Sequence, residues 1–302
     1  MNRNHSIATS FLIMVSAMLF HGLAAASASA QVTAPSVYTT TIQVQGETAG
    51  TEFADWAASG ITVVDMDPAD NTGGSPPFID IANVQVANDD EFIYIHATMH
   101  AGPTSFANLF LAFDTDQNVA TGFDVFGLGV VGSELGYQTD FPFGQATGVF
   151  NTGATITGGP LGNGGALIYP FWTEAGAPQG TEIEWAIPRE VLINGSPAFP
   201  SESFDFAVYA TNGLGDISQR ISYTLAEAPD QPGDFNKDGT VDAADYVAWR
   251  KTDDTPTGYT DFFENFGEPG AGASGPVNGA VPEPTTACLL LVAAMGLGLL
   301  RR

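Results

Sequence analysis

Short runs of alternating or β-branched residues fill residues 36–227, and they constrain the fold of this chain more than any other feature. Examples are "VYTTTIQVQ", "FIDIANVQVA", "EFIYIHATM", "TEIEWAI" and "FDFAVYA", with clusters of Gly, Pro, Asn and Asp between them. Short strands with such turn signals are typical of antiparallel sheets that pack face to face. The sequence therefore predicts a mainly β fold, with an antiparallel β-sandwich over residues 36–227.

Residues 1–30 have the order of a secretory signal peptide. Arg3 supplies a positive charge, "IATSFLIMVSAMLF" is apolar, and "ASA" at residues 28–30 offers small residues for cleavage. The apolar run is short and ends in alanines and serines, which fits a signal peptide better than a membrane anchor. We expect cleavage after Ala30 and export of the protein.

The charge of the chain limits its partners. The formal net charge is −26, and between residues 31 and 230 the only cations are Arg189 and Arg220. Such a surface repels nucleic acid and acidic lipid headgroups, so we exclude both as partners. It suits divalent cations, neutral glycans or simply solubility. Cys288 is the single cysteine, so an intramolecular disulfide is excluded and the exported domain must depend on its hydrophobic core.

A dense set of oxygen-bearing side chains follows the linker "AEAPDQPG" in the stretch "GDFNKDGTVDAAD", residues 233–245. Counted from the first aspartate, positions 1, 3, 5, 7, 9 and 12 are Asp234, Asn236, Asp238, Thr240, Asp242 and Asp245. Calcium takes hard oxygen ligands at these spacings, and Gly239 at position 6 permits the sharp turn. We predict a Ca²⁺ ion here, followed by a helix over "AADYVAWRKT". An ordinary Asp/Gly turn is the alternative.

This loop and helix, with aspartate at the last ligand position and no helix before the loop, resemble the type I dockerin repeat. The resemblance implies a small α-helical calcium module over residues 228–268 and a cohesin-like protein as partner. Dockerins usually carry two repeats. Here "YTDFFENFG" offers a second helix, whereas "TDDTPTG" lacks the ligand spacing of a second loop.

The C-terminal segment has the order linker, short motif, apolar run and arginines. The linker covers residues 269–284, and the apolar run, 287–300, is shorter than the about 17–25 residues of a transmembrane helix. The residues of the motif and the basic end are Pro282, Glu283, Pro284, Arg301 and Arg302.

This order of linker, motif, apolar run and arginines resembles the PEP-CTERM sorting signal. It implies that residues 285–302 form an apolar helix that anchors the protein transiently in the inner membrane. An exosortase would process the tail, and the protein would reach the cell surface or extracellular matrix. A tail-anchored membrane protein is the alternative.

Within the predicted sandwich, "FIDIANVQVANDDEFIYIHATM", "NLFLAFDTDQNVATGF" and "TEIEWAIPREVL" resemble the family-nine carbohydrate-binding modules and DOMON-like sandwiches. The resemblance implies the fold and, more weakly, carbohydrate binding. Asp114, Asp116 and Asn118 place oxygens on alternate residues at a strand end, and Glu134 is near in sequence. These four residues are a candidate second calcium site, with an acidic turn as the alternative.

Several aromatic residues are candidates for stacking on sugar rings, namely Trp172, Tyr169 and Trp56. Packing in the core is the alternative for each of them, and we expect Trp185 to lie there. His96 and His100 would share one face of a strand, but a rise of about 3.3 Å per residue separates them by roughly 13 Å. That distance is too large for one metal ion.

The sequence thus predicts an exported, cell-surface-sorted calcium-binding protein whose sandwich binds extracellular carbohydrate. One alternative is a structural matrix or adhesion protein that makes protein contacts through the sandwich and the dockerin-like arm. Another is a polysaccharide-acting hydrolase that uses glutamates such as Glu134, Glu182 and Glu184. We find no nucleophile–base motif, so no catalytic residue is assigned.

Overall fold

The computed structural model describes residues 31–45, 51–71, 78–103, 105–171, 180–237, 240–252 and 255–267. The predicted signal peptide, linker and sorting tail lie outside these ranges. In chain order the strands are β1 (Val32–Thr33), β2 (Asp65–Met66), β3 (Ile81–Asn88), β4 (Phe92–Met99), β5 (Leu109–Asp114), β6 (Phe123–Asp124), β7 (Gly132–Ser133), β8 (Leu135–Gln138), β9 (Phe141–Gly144), β10 (Ile156–Thr157), β11 (Leu167–Tyr169), β12 (Glu182–Pro188), β13 (Leu192–Ile193), β14 (Ser196–Pro197), β15 (Ser203–Ala210), β16 (Asp216–Ile217) and β17 (Ile221–Thr224). The helices are α1 (Ala54–Ser59), α2 (Ala243–Thr252), α3 (Pro256–Asn265) and a 3₁₀ turn at Val125–Gly127.

Two larger sheets form the sandwich within the described residues. One has the order β1-β17-β15-β5-β8-β9, with β16 also paired to β15, and the other has the order β11-β12-β4-β3-β2. Neighbouring strands are antiparallel except for β1 and β17, which are parallel. The predicted mainly β, antiparallel fold is therefore confirmed.

The core lies between these two sheets. On each strand every second side chain points inward, because successive side chains of a strand point to opposite faces. Leu111 and Phe113 of β5 and Phe206 of β15 contribute from one sheet, while Ile95 and Trp185 contribute from the other. Trp185 is completely buried, as expected from the sequence. Burial of such aromatic side chains is a major source of stability.

The outer faces of both sheets are covered as well. Trp56 of helix α1 packs over Tyr94 and Ala186 on the outer face of the five-stranded sheet. On the other sheet, Val125 packs with Tyr209 on the outward side. Central strands such as "LFLAFD" are therefore buried on both faces, which explains why they are apolar at nearly every position.

The second compact unit consists of Tyr38–Thr41 and Glu227–Arg302. Its described part contains α2 and α3, which pack through aromatic side chains. Tyr246 and Phe262 have ring centroids 5.7 Å apart, and Trp249 and Tyr259 are 5.3 Å apart. Helix α2 has the bounds predicted from "AADYVAWRKT".

Candidate functional site

The strongest candidate for a metal centre lies where β5 ends. Phe113 of β5 pairs with Leu135 of β8, so Glu134 comes to lie beside Asp114. The main chain fixes this arrangement, because the Glu134 N–H donates to the Phe113 carbonyl at 3.0 Å. The loop after β5 then returns Asp116 to the same place. One carboxylate oxygen each of Asp114, Asp116 and Glu134 lies within 4.8 Å of the others.

Backbone N–H groups hold these carboxylates in position. Asp114 Oδ1 accepts from the Asn118 N–H at 2.9 Å, and Glu134 Oε2 accepts from the Thr115 N–H at 2.9 Å. Asp116 accepts from the Thr121 hydroxyl at 2.9 Å. Glu134 Oε1, in contrast, is buried and accepts no hydrogen bond from the described residues. A buried carboxylate oxygen without a donor is costly, so this oxygen fits the role of a cation ligand.

The electrostatics of the three carboxylates favour a cation. Burial, with smaller contributions from the charges of Asp116 and Asp114, raises the pKa of Glu134 to about 7. Burial also raises the pKa of Asp114 to about 6, with a smaller contribution from Asp116. Hard carboxylate oxygens at this spacing suit calcium, whose oxygen ligands lie about 2.3–2.6 Å from the ion. The donor set therefore fits the candidate second calcium site.

Two residues beside this cluster escaped the sequence reasoning. Thr121 orients Asp116 through its hydroxyl, and Gly122 approaches so closely that a Cβ atom there would lie 2.5 Å from Glu134 Oε1. Gly122 also has a φ of +68°, which favours glycine. The "TG" after the alternating acidic residues was the available signal. Asn118 contributes its N–H, while its side-chain oxygen accepts from Ala120 at 3.2 Å.

The structure corrects the expectation for Trp56. Its side chain is only 1% exposed, so it offers no face to a sugar ring. The indole N–H donates to Glu184 Oε2 at 2.6 Å, and the ring stacks on His96 at 5.1 Å. Trp56 is thus part of the layer that covers the five-stranded sheet. The sequence alone could not predict this contact, because Glu184 is far from Trp56 along the chain.

The other aromatic candidates lie at or next to an edge strand. Tyr169 ends β11, is half-buried and lies 5.7 Å from Phe53, measured between ring centroids. Its hydroxyl donates to Glu52 Oε1 at 3.2 Å. Phe171 is 42% exposed. Trp172 lies outside the described residues.

The two histidines have separate environments. His96 is buried, with Nδ1 2.8 Å from Gln85 Oε1 and Nε2 3.1 Å from Glu182 Oε2. His100 Nε2 lies 2.8 Å from the main-chain carbonyl of Asp67. The two imidazole rings therefore have different hydrogen-bond partners.

The predicted calcium loop belongs to the helical unit and is described in part. Asp245 is completely buried at the start of α2, where its carboxylate accepts from the Asn236 N–H at 3.0 Å and the Asp242 N–H at 2.8 Å. A carboxylate has about four lone-pair sites, so both oxygens can still reach a cation. The loop contains the ligand candidates Asp234, Asn236, Thr240 and Asp242 among the described residues, whereas Asp238 and Gly239 lie outside them.

Across the described ranges, no helix is long and apolar enough to cross a membrane. The predicted sorting residues lie beyond residue 267, outside those ranges.

Comparison with known proteins gives weak likenesses. No family model matches this chain, and no curated protein matches it. Among solved structures, a family-nine carbohydrate-binding module from Caldicellulosiruptor kristjanssonii in complex with glucose covers 67% of this chain and 98% of its own length, with 10% identity and a TM-score of 0.34. The same kind of module in complex with cellotriose gives 9% identity, 67% and 95% coverage, and a TM-score of 0.32. These values are too low to assign a ligand.

Proposed function

We propose that this protein is an exported calcium-binding protein whose β-sandwich binds a neutral extracellular carbohydrate. The observation that carries the calcium part is the cluster of Asp114, Asp116 and Glu134, with a buried Glu134 oxygen that accepts no hydrogen bond among the described residues. A calcium ion there would pin the loop after β5 to β8. Its charge would also stabilise the ionised forms of Asp114 and Glu134, which burial otherwise disfavours. The loop at residues 234–245 would take a further calcium ion and order the helical unit.

The carbohydrate part is supported by the edge at β11. An edge strand is open on one side, and here it carries Tyr169, with the exposed Phe171 beyond it. Trp172 follows directly in the sequence. Aromatic rings offer flat apolar faces that can stack on the C–H faces of sugars, and a phenol hydroxyl can bond sugar hydroxyls.

The net charge restricts the choice of glycan. A chain with a formal charge of −26 repels polyanions, so we expect a neutral polysaccharide rather than an acidic one. The signal-like N-terminus and the C-terminal pattern support export and sorting to the cell surface or matrix. There the single dockerin-like arm would be free to engage a cohesin-like protein.

A binding panel tests the carbohydrate proposal. The full chain is assayed against neutral and acidic polysaccharides in the presence of calcium. We expect saturable binding to one neutral class, and Trp172→Ala should weaken it about tenfold or more, as loss of a central aromatic contact does. Phe141→Ala is the matched control, because Phe141 is an exposed aromatic residue on β9 of the other sheet.

Binding to no glycan, or equal losses in both variants, would contradict this proposal. Repeating the panel in calcium-free buffer tests the calcium proposal separately from the carbohydrate proposal. If the sandwich unfolds more readily but still binds sugar, calcium is structural. If binding of a folded chain disappears, calcium forms part of the sugar site.

A further inference from the structure

We propose that Asp70, Asp80 and Asp216 hold a further divalent cation, calcium by the type of donor. These residues lie where β2 and β3 of one sheet face β16 of the other. The site is separate from the Asp114 cluster. It does not depend on carbohydrate binding.

The spacing of the oxygens fits one ion. One carboxylate oxygen from each of Asp70, Asp80 and Asp216 lies within 4.8 Å of the others. Calcium–oxygen distances of about 2.3–2.6 Å allow two ligands of one ion to lie up to about 5.2 Å apart. The three carboxylates can therefore share an ion without a large movement.

Backbone hydrogen bonds hold this arrangement in place. Asp216 Oδ2 accepts from the Ile81 N–H at 2.6 Å, which ties β16 to β3. Asp80 Oδ1 accepts from the N–H groups of Asp70 at 3.2 Å and Asn71 at 3.3 Å. These bonds use one oxygen of Asp216 and one of Asp80. They fix the positions of both carboxylates before a ligand arrives.

A second observation comes from two nearby carboxylates, since Asp67 interacts electrostatically with Asp216 and Asp70 and with its neighbour Asp65. Asp65 and Asp67 flank Met66 on β2, and Met66 is 78% exposed, so strand alternation turns both aspartates inward. Asp65 is only 2% exposed, and its Oδ2 accepts from the Gln219 N–H at 3.1 Å. Asp65 Oδ1 and Asp67 Oδ2 are buried and accept no hydrogen bond from the described residues. A cation would supply the positive partner that these buried oxygens lack.

The charges around Asp67 have one sign. The negative charges of Asp216, Asp65 and Asp70 lie close to that of Asp67 and repel it. Within the described ranges, no Lys or Arg forms an ion pair with any of these carboxylates. A bound divalent ion would remove this repulsion.

A cation here would also fix the neighbouring loop. Asn71 accepts from the Leu214 N–H at 3.0 Å and donates to the Asn212 carbonyl at 3.1 Å. The segment after β2 therefore already contacts residues 212–214. An ion bound to Asp70 and Asp216 would hold the two segments together, so calcium should slow amide exchange in both.

Hydrogen exchange of the full chain tests this site. Exchange is measured in calcium-free buffer, across a calcium titration and with magnesium alone. We expect calcium to slow exchange in peptides that cover residues 65–71 and 212–218. Asp70→Asn should raise the calcium concentration required by at least about tenfold, as expected for the loss of a metal-site residue. Asp70 is exposed, so the fold should tolerate the change. Glu202→Gln, at an exposed carboxylate outside both clusters, is the control.

Two results would overturn the proposal: unchanged exchange at 212–218 with calcium, or the same calcium midpoint for Asp70→Asn and Glu202→Gln. Protection by magnesium but not calcium would overturn the assignment of calcium. The peptide over residues 114–121 reports separately on the Asp114 cluster. Protection at 212–218 without protection at 114–121 would support this site and contradict the calcium part of the proposed function.

Discussion

The sandwich and the helical unit are stabilised in different ways. The sandwich buries large side chains between its sheets and on both outer faces, with Trp185 and Phe113 fully enclosed. In the described part of the helical unit, the buried hydrophobic residues are Val241, Trp249 and Phe262, and the buried Asp245 joins loop to helix. A domain of this small size usually needs a metal or other cross-link. On the proposal that both units bind calcium, this difference leads us to expect a modest effect of the ion on the sandwich and a large effect on folding of the helical unit.

The largest effect should follow from damage to the sandwich core. Trp185→Ala should lower the free energy of unfolding by about 3–5 kcal/mol, because it opens a cavity. It also leaves the Thr139 carbonyl without the indole N–H that now donates to it at 3.1 Å. Chemical denaturation measures the loss, and Trp185→Phe should cost less.

Hydrogen exchange in the α2 and α3 peptides tests whether the helical unit folds independently of the sandwich. It should stay unchanged in Trp185→Phe. Increased exchange there would show that the two units do not fold independently, and the comparison between them would fail.

The next effect should appear in the helical unit. Asp245→Asn should destabilise this unit by about 1–3 kcal/mol. The Asn236 and Asp242 N–H groups bond different oxygens of Asp245, and an amide has only one oxygen, so one of the two N–H groups would lose its acceptor. The response of this unit to calcium should weaken as well. At a calcium concentration about 100 times the dissociation constant, the wild-type unit should gain about 2.7 kcal/mol.

Helical circular dichroism and exchange of the α2 peptide provide the measurement. Glu264→Gln, an exposed carboxylate of α3, should behave as wild type. If calcium leaves the α2 peptide unchanged in the wild type, this unit does not depend on the ion.

The strands and helices that could be predicted from the sequence are those whose own residues form a recognisable pattern. The long strands β4, β12 and β15 show β-rich runs, and α2 follows the acidic loop directly. Two-residue strands such as β6 and β16 have no such pattern, because they exist only through their pairing partners. Helix α1 was missed because "ADWAAS" is short, and its place over the sheet depends on Glu184, which is distant in sequence.

Of the candidate site, the alternating Asp114 and Asp116 were visible, while the position of Glu134 required the pairing of β5 with β8. The carboxylates at Asp70, Asp80 and Asp216 come together through contacts across the sandwich edge. Nothing in their sequence spacing indicates this. Trp56 was misplaced for a related reason: a single sequence shows which residues are aromatic but not which face of a sheet another segment covers.

A smaller effect should appear in the pH dependence of the calcium-free sandwich. Burial raises the pKa of Glu134 to about 7 and that of Asp114 to about 6, both above their ordinary values. The folded state therefore binds these protons more tightly than the unfolded chain. The resulting stability is present at acidic pH and is lost as the pH rises through about 6 to 7.

Thermal unfolding between pH 5 and 8 checks this prediction. The calcium-free protein should melt at a lower temperature as the pH rises, and saturating calcium should oppose the decrease because it binds the ionised carboxylates. Glu134→Gln should reduce the slope, whereas Glu202→Gln should not. A slope that is equal in all three proteins would place its origin elsewhere.

The most direct test of the account is a calcium-binding measurement on the full chain and on Glu134→Gln. Equilibrium dialysis with labelled calcium gives the number of bound ions and their affinities. We predict that the variant loses one ion, or binds it at least about tenfold more weakly. The ion assigned to residues 234–245 should be unaffected. Identical calcium binding by the wild type and Glu134→Gln would contradict the central claim that Asp114, Asp116 and Glu134 form a calcium site.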